Sequence, residues 1–128
     1  MLLYTDGASR GNPGPAALGY VLWRGAQVIE EGGEAIGHAT NNVAEYRALI
    51  RGLERARALG LTALTVCSDS QLLVRQLTGE YRVRDVTLQE LFRQAQQLAR
   101  GTVRAYCHVP RALNRRADRL ANLALDRA

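Results

Sequence analysis

The stretch MLLYTDGASRGNPGPAALGYVLW, residues 1–23, contains the signals that decide the fold. An apolar run over residues 1–5 ends at Asp6-Gly7, residues 11–15 (GNPGP) form a turn-rich loop, and a second apolar run covers residues 17–23. Apolar runs bounded by Gly, Pro and Asn are typical of strands joined by a turn. The stretch therefore predicts two antiparallel strands, with Asp6 at the end of the first.

The rest of the chain continues this pattern with a third strand and then with helices. Arg24-Gly25 predicts a turn into a strand over residues 27–35, and apolar residues spaced by three and four predict a helix over residues 41–59. The further elements are a strand at 61–67, a helix at about 70–78, a helix at 88–99, a strand at 102–109 and a helix at 114–128. This order predicts an α/β fold with a five-stranded mixed sheet flanked by helices.

Length and composition fit one globular domain over residues 1–128. Hydrophobic residues make up 47% of the chain, yet no apolar run approaches the ~18 to 20 residues of a membrane span, and no charged-then-apolar leader opens it. We therefore expect a cytoplasmic protein with no membrane segment. Cys67 and Cys107 lack the spacing of a zinc site, so we expect buried, reduced thiols.

The charge of the chain is +5, and all 17 basic residues are arginine. On composition alone, a bias toward arginine codons explains the missing lysines best. If four of the 12 acids held metal ions, the other eight would face 17 arginines and leave a net charge of +9. Such a surface would attract a polyanion such as nucleic acid.

Four acids, Asp6, Glu45, Asp69 and Asp118, lie in short segments that look suited to hold a carboxylate in place. Two of the four follow apolar strand-like runs, where a charge is costly unless it is compensated. Each acid also has a local explanation when it is considered alone. These explanations are an Asx turn at Asp6, a capping box joining Asn42 and Glu45, a helix cap by Asp69, and an ion pair of Asp118 with Arg115 or Arg119.

Considered together, the four acids indicate a metal site. The first strand, the helix after the hairpins, the end of the fourth strand and the last helix can meet at one edge of the sheet, where α/β proteins commonly bind ligands. Carboxylates this close repel one another unless cations lie between them. Oxygen ligands without clustered histidine or thiolate favour Mg²⁺, with Mn²⁺ as a substitute, and two such ions can promote phosphoryl displacement.

The segments TDGASRGNPGP, TNNVAEYRALIRGL, SDSQLLVRQL and NRRADRLANLA resemble, in this order, the signature blocks of the type 1 ribonuclease H family. The resemblance covers almost the whole chain and is strongest to the short, archaeal-like members. It implies an endonuclease that cuts the RNA strand of RNA–DNA hybrids with two metal ions, leaving a 5′-phosphate and a 3′-hydroxyl. It also implies that Asp6 bridges the two ions. Asp118 would help to bind the ion that holds the attacking water, and Glu45 and Asp69 would bind the ion at the leaving oxygen.

The same resemblance assigns substrate contacts beside the acids. The amides that match the family's substrate-contacting residues are Asn12, Asn41, Asn42 and Gln71. Thr40 and the N–H groups at the helix start resemble a site for a phosphate of the DNA strand, and Gly7 would let the backbone approach the substrate. Turn formation and capping are the alternative roles of the amides. The implied partner is an RNA–DNA hybrid, with double-stranded RNA a further possibility, and the expected state is a monomer.

The chain departs from many bacterial members near its last helix. Their mobile loop carries a histidine, whereas here residues 111–113 alone join the last strand to Asn114. In those members the histidine is associated with the catalytic water or with product release, and Arg111 could take an electrostatic version of this role. We expect His108 to be a packed or hydrogen-bonded side chain inside the last strand, and His38 to lie in a loop. The family's basic protrusion is also absent, since residues 79–87 contain two arginines, so we expect a weaker, more salt-sensitive grip on substrate.

Two other functions suit the same fold. One is a non-catalytic module that binds hybrids or double-stranded RNA, but a pure binder gains nothing from clustered carboxylates facing phosphates. The other is a DNA nuclease of the same superfold, such as a resolvase or integrase core. The amides of the TNNVAE segment disfavour it, because short amides suit recognition of 2′-hydroxyls.

Overall fold

The computed structural model describes all 128 residues and contains five strands and four helices. The strands are β1 (Leu2–Ser9), β2 (Gly14–Arg24), β3 (Gln27–Ala39), β4 (Leu64–Ser68) and β5 (Val103–His108). The helices are α1 (Asn41–Ala58), α2 (Gln71–Leu77), α3 (Val86–Ala99) and α4 (Arg115–Arg127), with a short 3-10 helix at Arg111–Leu113. The element order is the one that the sequence predicts.

The strands form one mixed sheet in the order β3-β2-β1-β4-β5. β1, β2 and β3 pair antiparallel, because short turns connect them, while β1–β4 and β4–β5 are parallel because helices separate them in the chain. The sheet is therefore five-stranded and mixed, as predicted. β1 is central, so residues at its carboxyl end can meet groups from both neighbours.

The main core lies between the sheet and α1, with α2 and α3 beside it, and contains 19 buried hydrophobic residues. Leu3 of β1 and Leu49 and Leu53 of α1 are fully buried there. α1 approaches β1 closely at Gly52, where a Cβ atom would lie 2.7 Å from Leu3 Cδ1. This close packing sets the position of the whole helix relative to β1.

α4 covers the other face of the sheet, over β1, β2 and β3. It lies directly on two strand glycines, because a Cβ on Gly19 would be 2.2 Å from Ala117 O and one on Gly33 would be 2.4 Å from Leu120 O. At its start, buried Asn114 donates from Nδ2 to Thr5 O at 2.9 Å. α4 is thereby held against the strand that contains Asp6.

Three sequence expectations were wrong. β1 continues through Asp6 to Ser9, because its backbone pairing with β2 runs on through Gly7 and Ala8 and overrides the turn signal of Asp6-Gly7. β3 continues to Ala39, so His38 lies in a strand and not in a loop, paired with Pro15. Cys107 is exposed, since β5 is an edge strand of the sheet, although Cys67, on the inner strand β4, is buried as expected.

None of the helices combines the length and apolar character that crossing a bilayer requires.

Candidate active site

Asp6 and Asp69 are adjacent because β1 and β4 are parallel neighbours. The last pair in their register is Thr5 with Ser68, and each acid is the next residue of its chain segment. Asp6 is 6% exposed and Asp69 half-buried at the carboxyl end of β4. Two carboxylates therefore lie side by side at the sheet edge where parallel strands end.

Glu45 reaches the same place from the second turn of α1. The Gly7 N–H donates to Glu45 Oε1 at 2.6 Å, which aims the carboxylate at β1. This approach requires a glycine, because a Cβ on Gly7 would be 2.2 Å from the carbonyl carbon of Ala44. Gly7 thus serves the packing of α1 and the orientation of Glu45, and its N–H is already occupied.

The three carboxylates of Asp6, Glu45 and Asp69 have oxygens that all lie within 4.8 Å of one another. Burial is the largest cause, and the neighbouring carboxylates the next, of a rise in the pKa of Asp6 to about 9. Burial likewise raises the pKa of Glu45 to about 8, against the lowering effect of the Gly7 N–H. The cluster is therefore electrostatically unfavourable by itself, and cations between the carboxylates would relieve it.

Asp118, from α4, lines the same groove and is a further cause of the raised pKa of Asp6, but it is not among the three acids whose oxygens lie within 4.8 Å of one another. Asn122, one turn later, donates from Nδ2 to Asp118 Oδ1 at 3.2 Å and to Asp118 O at 3.0 Å. Sequence reasoning missed Asn122. The signal was its spacing of four from Asp118, since side chains so spaced on a helix lie next to each other.

The local explanations of the acids do not hold. Thr40, not Asn42, is the N-cap of α1. Ser70, not Asp69, is the N-cap of α2. Asp118 forms no ion pair with an arginine, and Asp6 lies within a strand and not in a turn.

The predicted substrate residues are partly brought together. Asn41 and Asn42 are exposed and line the carboxylate groove, while Asn12, Thr40 and Asn42 line an adjoining concavity. The Asn41 N–H donates to Asn12 Oδ1 at 3.1 Å, so Asn12 also fixes the start of α1. Gln71 is exposed at the start of α2 and lines neither concavity.

The adjoining concavity contains an acid that sequence reasoning did not consider. Asp85 lines it and accepts from the Leu88 N–H at 2.9 Å as the N-cap of α3. Thr40 uses its hydroxyl in the same way, accepting from the Val43 N–H at 3.2 Å. A carboxylate here opposes the binding of a phosphate, although the N-terminus of α1 favours it.

Arg111 and His108 differ in their relation to the carboxylates. Arg111, in the 3-10 helix, lines the groove, and its charge lowers the pKa of Glu45 to a small extent. His108 lies in the predicted strand, but it is the last residue of β5 and is exposed and not packed. Its Nε2 lies 3.3 Å from Asp69 O, which fits the expectation of a hydrogen-bonded side chain. His108 thus contacts the backbone of Asp69, and Arg111 is the basic side chain in the groove.

The donor set of the groove fits hard divalent cations. Its ligands are carboxylate oxygens, Asp6 and Glu45 are buried, and no thiol or imidazole lines the groove. The raised pKa values of both buried acids are the second indication, because a bound cation would favour their charged forms.

The sequence of this chain is similar to a family model and to curated proteins over nearly its whole length. Residues 4–124 match a family model described as reverse transcriptase-like. A bifunctional protein of Mycobacterium tuberculosis is 50% identical over this entire chain, which spans 36% of that protein. Ribonuclease HI of Halobacterium salinarum is 51% identical over 98% of the chain, which spans 64% of that protein.

Solved structures of similar proteins superpose closely on this chain. The crystal structure of RNase H1 from the archaeon Halobacterium salinarum superposes with a TM-score of 0.96 at 50% identity, covering 99% of this chain and 98% of that one. The structure of LC11-RNase H1 in complex with an RNA/DNA hybrid superposes with a TM-score of 0.93 at 40% identity, covering 98% and 96%.

Proposed function

The chain belongs to the type 1 ribonuclease H family, and we propose that it is an endoribonuclease that hydrolyses the RNA strand of RNA–DNA hybrids. One observation of the structure carries the proposal. Carboxylate oxygens of Asp6, Glu45 and Asp69, from three separate elements, lie within 4.8 Å of one another. Such close carboxylates repel one another, but they suit an enzyme that places cations beside a phosphodiester. We propose that the cleavage leaves a 5′-phosphate and a 3′-hydroxyl.

Asp6, Glu45, Asp69 and Asp118 are the residues that would hold the metal, with Mg²⁺ as the proposed ion, two per site, and Mn²⁺ as a substitute. When bound, such ions lower the pKa of water and neutralise charge on the leaving oxygen. The protein positions the ligands beforehand. The Gly7 N–H holds Glu45, Asn122 holds Asp118, and the β1–β4 register holds Asp69 beside Asp6.

Substrate recognition is proposed for the amides at the start of α1. Asn41 and Asn42 project into the groove that contains the acids, where short amides can contact 2′-hydroxyls in a minor groove. LC11-RNase H1, a relative of this chain, was crystallised with an RNA/DNA hybrid. Asn12 is proposed to position the loop, Thr40 to border a DNA phosphate, and Gln71 to contact substrate from beyond the groove. The hybrid is the proposed partner, and cleavage of double-stranded RNA stays a prediction.

Two alternatives remain as outcomes of the tests. The raised pKa values of buried Asp6 and Glu45 disfavour a binding module without catalysis. Burial of these carboxylates destabilises the folded protein unless a metal ion binds them. A DNA nuclease is disfavoured by the exposed amides beside the carboxylates. The expected cytoplasmic location, monomeric state and single-domain organisation over residues 1–128 also stay predictions.

The decisive experiment is an Asp69→Asn substitution. We expect hybrid cleavage to need Mg²⁺ or Mn²⁺ and to fall by a factor of about 10³ or more, because one of the clustered metal ligands is lost. Initial rates on RNA–DNA, RNA–RNA and DNA–DNA duplexes measure activity and selectivity together. The control is Asp126→Asn, the same chemical change at an exposed site that pairs with Arg10. Unchanged cleavage by Asp69→Asn would show that the proposed mechanism is wrong.

The proposed role of Arg111 has a separate test. We expect Arg111→Ala to lower kcat by roughly tenfold and to change KM less, because the guanidinium lies in the groove beside the reacting centre. Steady-state kinetics on a hybrid separates the two constants. A raised KM with unchanged kcat would instead make Arg111 only a phosphate contact.

A further inference from the structure

Three arginines spaced by four residues form a stripe at the start of α4. Arg111, Arg115 and Arg119 are exposed, and none of their side chains forms an ion pair or a hydrogen bond within the protein. Arg116, which lies among them in sequence, differs: its Nε lies 2.5 Å from Glu31 Oε1, and its guanidinium stacks over Trp23. The arginine stripe is thus free to bind something outside the chain.

The arginine stripe is unfavourable for the helix that contains it. Arg115 and Arg119 are like charges at positions i and i+4, which destabilise a helix. Arg115 also lies in the first turn, where the helix dipole disfavours cations, and the N-cap residue Asn114 makes no side-chain capping bond. Departures from local stability rules by charges that form no close ion pair within the protein are typical of functional surfaces.

The arginine stripe adjoins the carboxylate groove on one side only. It lines a concavity with Asp118, and this concavity shares Arg111 and Asp118 with the groove. On the opposite side, the groove shares Asn42 with the concavity of Asn12 and Thr40. The acids therefore lie in the middle of a continuous track, with amides on one side and arginines on the other.

We propose that Arg115 and Arg119, which continue the line of Arg111 away from the groove, bind phosphates of the RNA strand on the 3′ side of the cut. This inference rests on the proposed function. The family resemblance assigns the leaving 3′ oxygen, which belongs to the nucleotide upstream of the cut, to the side of Glu45 and Asp69. A strand that crosses the groove from there leaves it on the side of Asp118, where the arginine stripe begins. The downstream strand, which keeps the phosphate, therefore runs toward the arginine stripe. Planar guanidinium groups form bidentate hydrogen bonds with phosphate and therefore suit the binding of an RNA backbone.

The first experiment measures binding without cleavage. In the Asp69→Asn background, we expect Arg115→Gln/Arg119→Gln to weaken binding of an RNA–DNA hybrid roughly tenfold at about 0.1 M salt. The slope of log affinity against log salt should fall by about 2, close to one unit per lost phosphate contact. The matched control is Arg24→Gln/Arg100→Gln, which removes two exposed charges that line none of these concavities. Equal slopes for all three proteins, or equal losses in both double variants, would overturn the proposal.

The second experiment identifies the strand segment. In a duplex whose cut strand is DNA except for one ribonucleotide block, the block fixes the position of cleavage. We expect the Arg115→Gln/Arg119→Gln variant to lose kcat/KM about tenfold, mainly through KM, when ten or so nucleotides follow the block on its 3′ side. The loss should disappear when the duplex ends just after the block. A loss that depends on the 5′ arm instead would contradict the assignment.

A competing explanation is that the arginines only offset the charge of the acids. In that case the double variant would shift the Mg²⁺ dependence and the pH profile of kcat, while its KM and salt slope would equal those of the parent. This result would overturn the proposal. Arg115→Lys/Arg119→Lys, which keeps both charges but not the bidentate geometry, should restore the salt slope and only part of the affinity. If the parent cut no hybrid at all, the proposed function would fail, while the binding slopes would still decide whether the arginine stripe contacts nucleic acid.

Discussion

At the residue scale, the buried carboxyl of Asp6 lowers the stability of the folded protein, although the proposed function requires it. It lies in a central strand, 6% exposed, among three other acids, and its pKa is raised from 3.8 to about 9. The charged form is therefore disfavoured in the folded state. The resulting destabilisation is absent below the unfolded pKa, near 4, and grows as the pH rises toward about 9.

We therefore expect Asp6→Asn to stabilise the metal-free protein while it abolishes cleavage. In EDTA at about pH 7.5 its Tm should exceed that of the parent by about 5 °C or more, and the difference should vanish near about pH 4. Mg²⁺ should raise the Tm of the parent more than that of the variant, because the parent gains a cation among its carboxylates. Thermal melts followed by circular dichroism measure each value. A lower Tm for Asp6→Asn at neutral pH would contradict the account.

At the element scale, an ion pair joins α1 to the antiparallel half of the sheet. Arg55 of α1 donates from Nε and Nη2 to Glu30 of β3 at 2.7 and 2.9 Å, and Tyr20 of β2 donates to Glu30 at 2.8 Å. The Arg55 hydrogen bonds are the largest cause of a fall in the pKa of Glu30 from 4.5 to about 2. α1 is thereby held to the sheet well away from Glu45.

Because the folded pKa of Glu30 lies below its unfolded value, its contribution to stability is present above about pH 4.5 and is lost as the pH falls toward about 2. We expect Glu30→Gln to lower the Tm at neutral pH, and its difference from the parent to shrink over this acid range. Melting curves at several pH values test this. Glu54→Gln is the control, since Glu54 is exposed and its ion pair with Arg51 is longer, at 3.7 Å. A difference that stays constant with pH would argue against a charged Glu30.

At the scale of the whole molecule, the hydrophobic core and the carboxylate groove are separate. The core cluster lies between the sheet and α1, and its members are hydrophobic, while the acids are gathered where the parallel pairing of β1 with β4 ends. Folding therefore depends on the core, and the metal would act only on the groove.

Removal of metal should for this reason abolish activity and leave the fold intact. We expect EDTA to stop hybrid cleavage completely, with an unchanged far-ultraviolet circular dichroism spectrum and a single cooperative melting transition. Added Mg²⁺ should restore the rate and raise the Tm. Loss of helix signal on chelation would instead make the metal part of the folding core.

Much of this architecture could be predicted from the sequence, because the signals are local. Apolar runs separated by Gly and Pro indicated the strands, the three-and-four spacing indicated α1, and the order of the elements indicated a mixed sheet. The errors arose where tertiary pairing overrides a local signal. Asp6-Gly7 indicates a turn but lies inside the β1–β2 ladder, and Cys107 lies in an apolar run but on the edge strand β5.

By itself, the sequence determined which elements form, since this depends on neighbouring residues, and it predicted that Asp6, Glu45 and Asp69 lie together. Only the tertiary structure decided how the acids are held. The Gly7 N–H that binds Glu45 comes from a residue 38 positions away, and the Asn114 contact with Thr5 that sets α4 spans 109 positions. The free arginine stripe also became visible only there. A residue's partners depend on its neighbours in space, and these are created by folding.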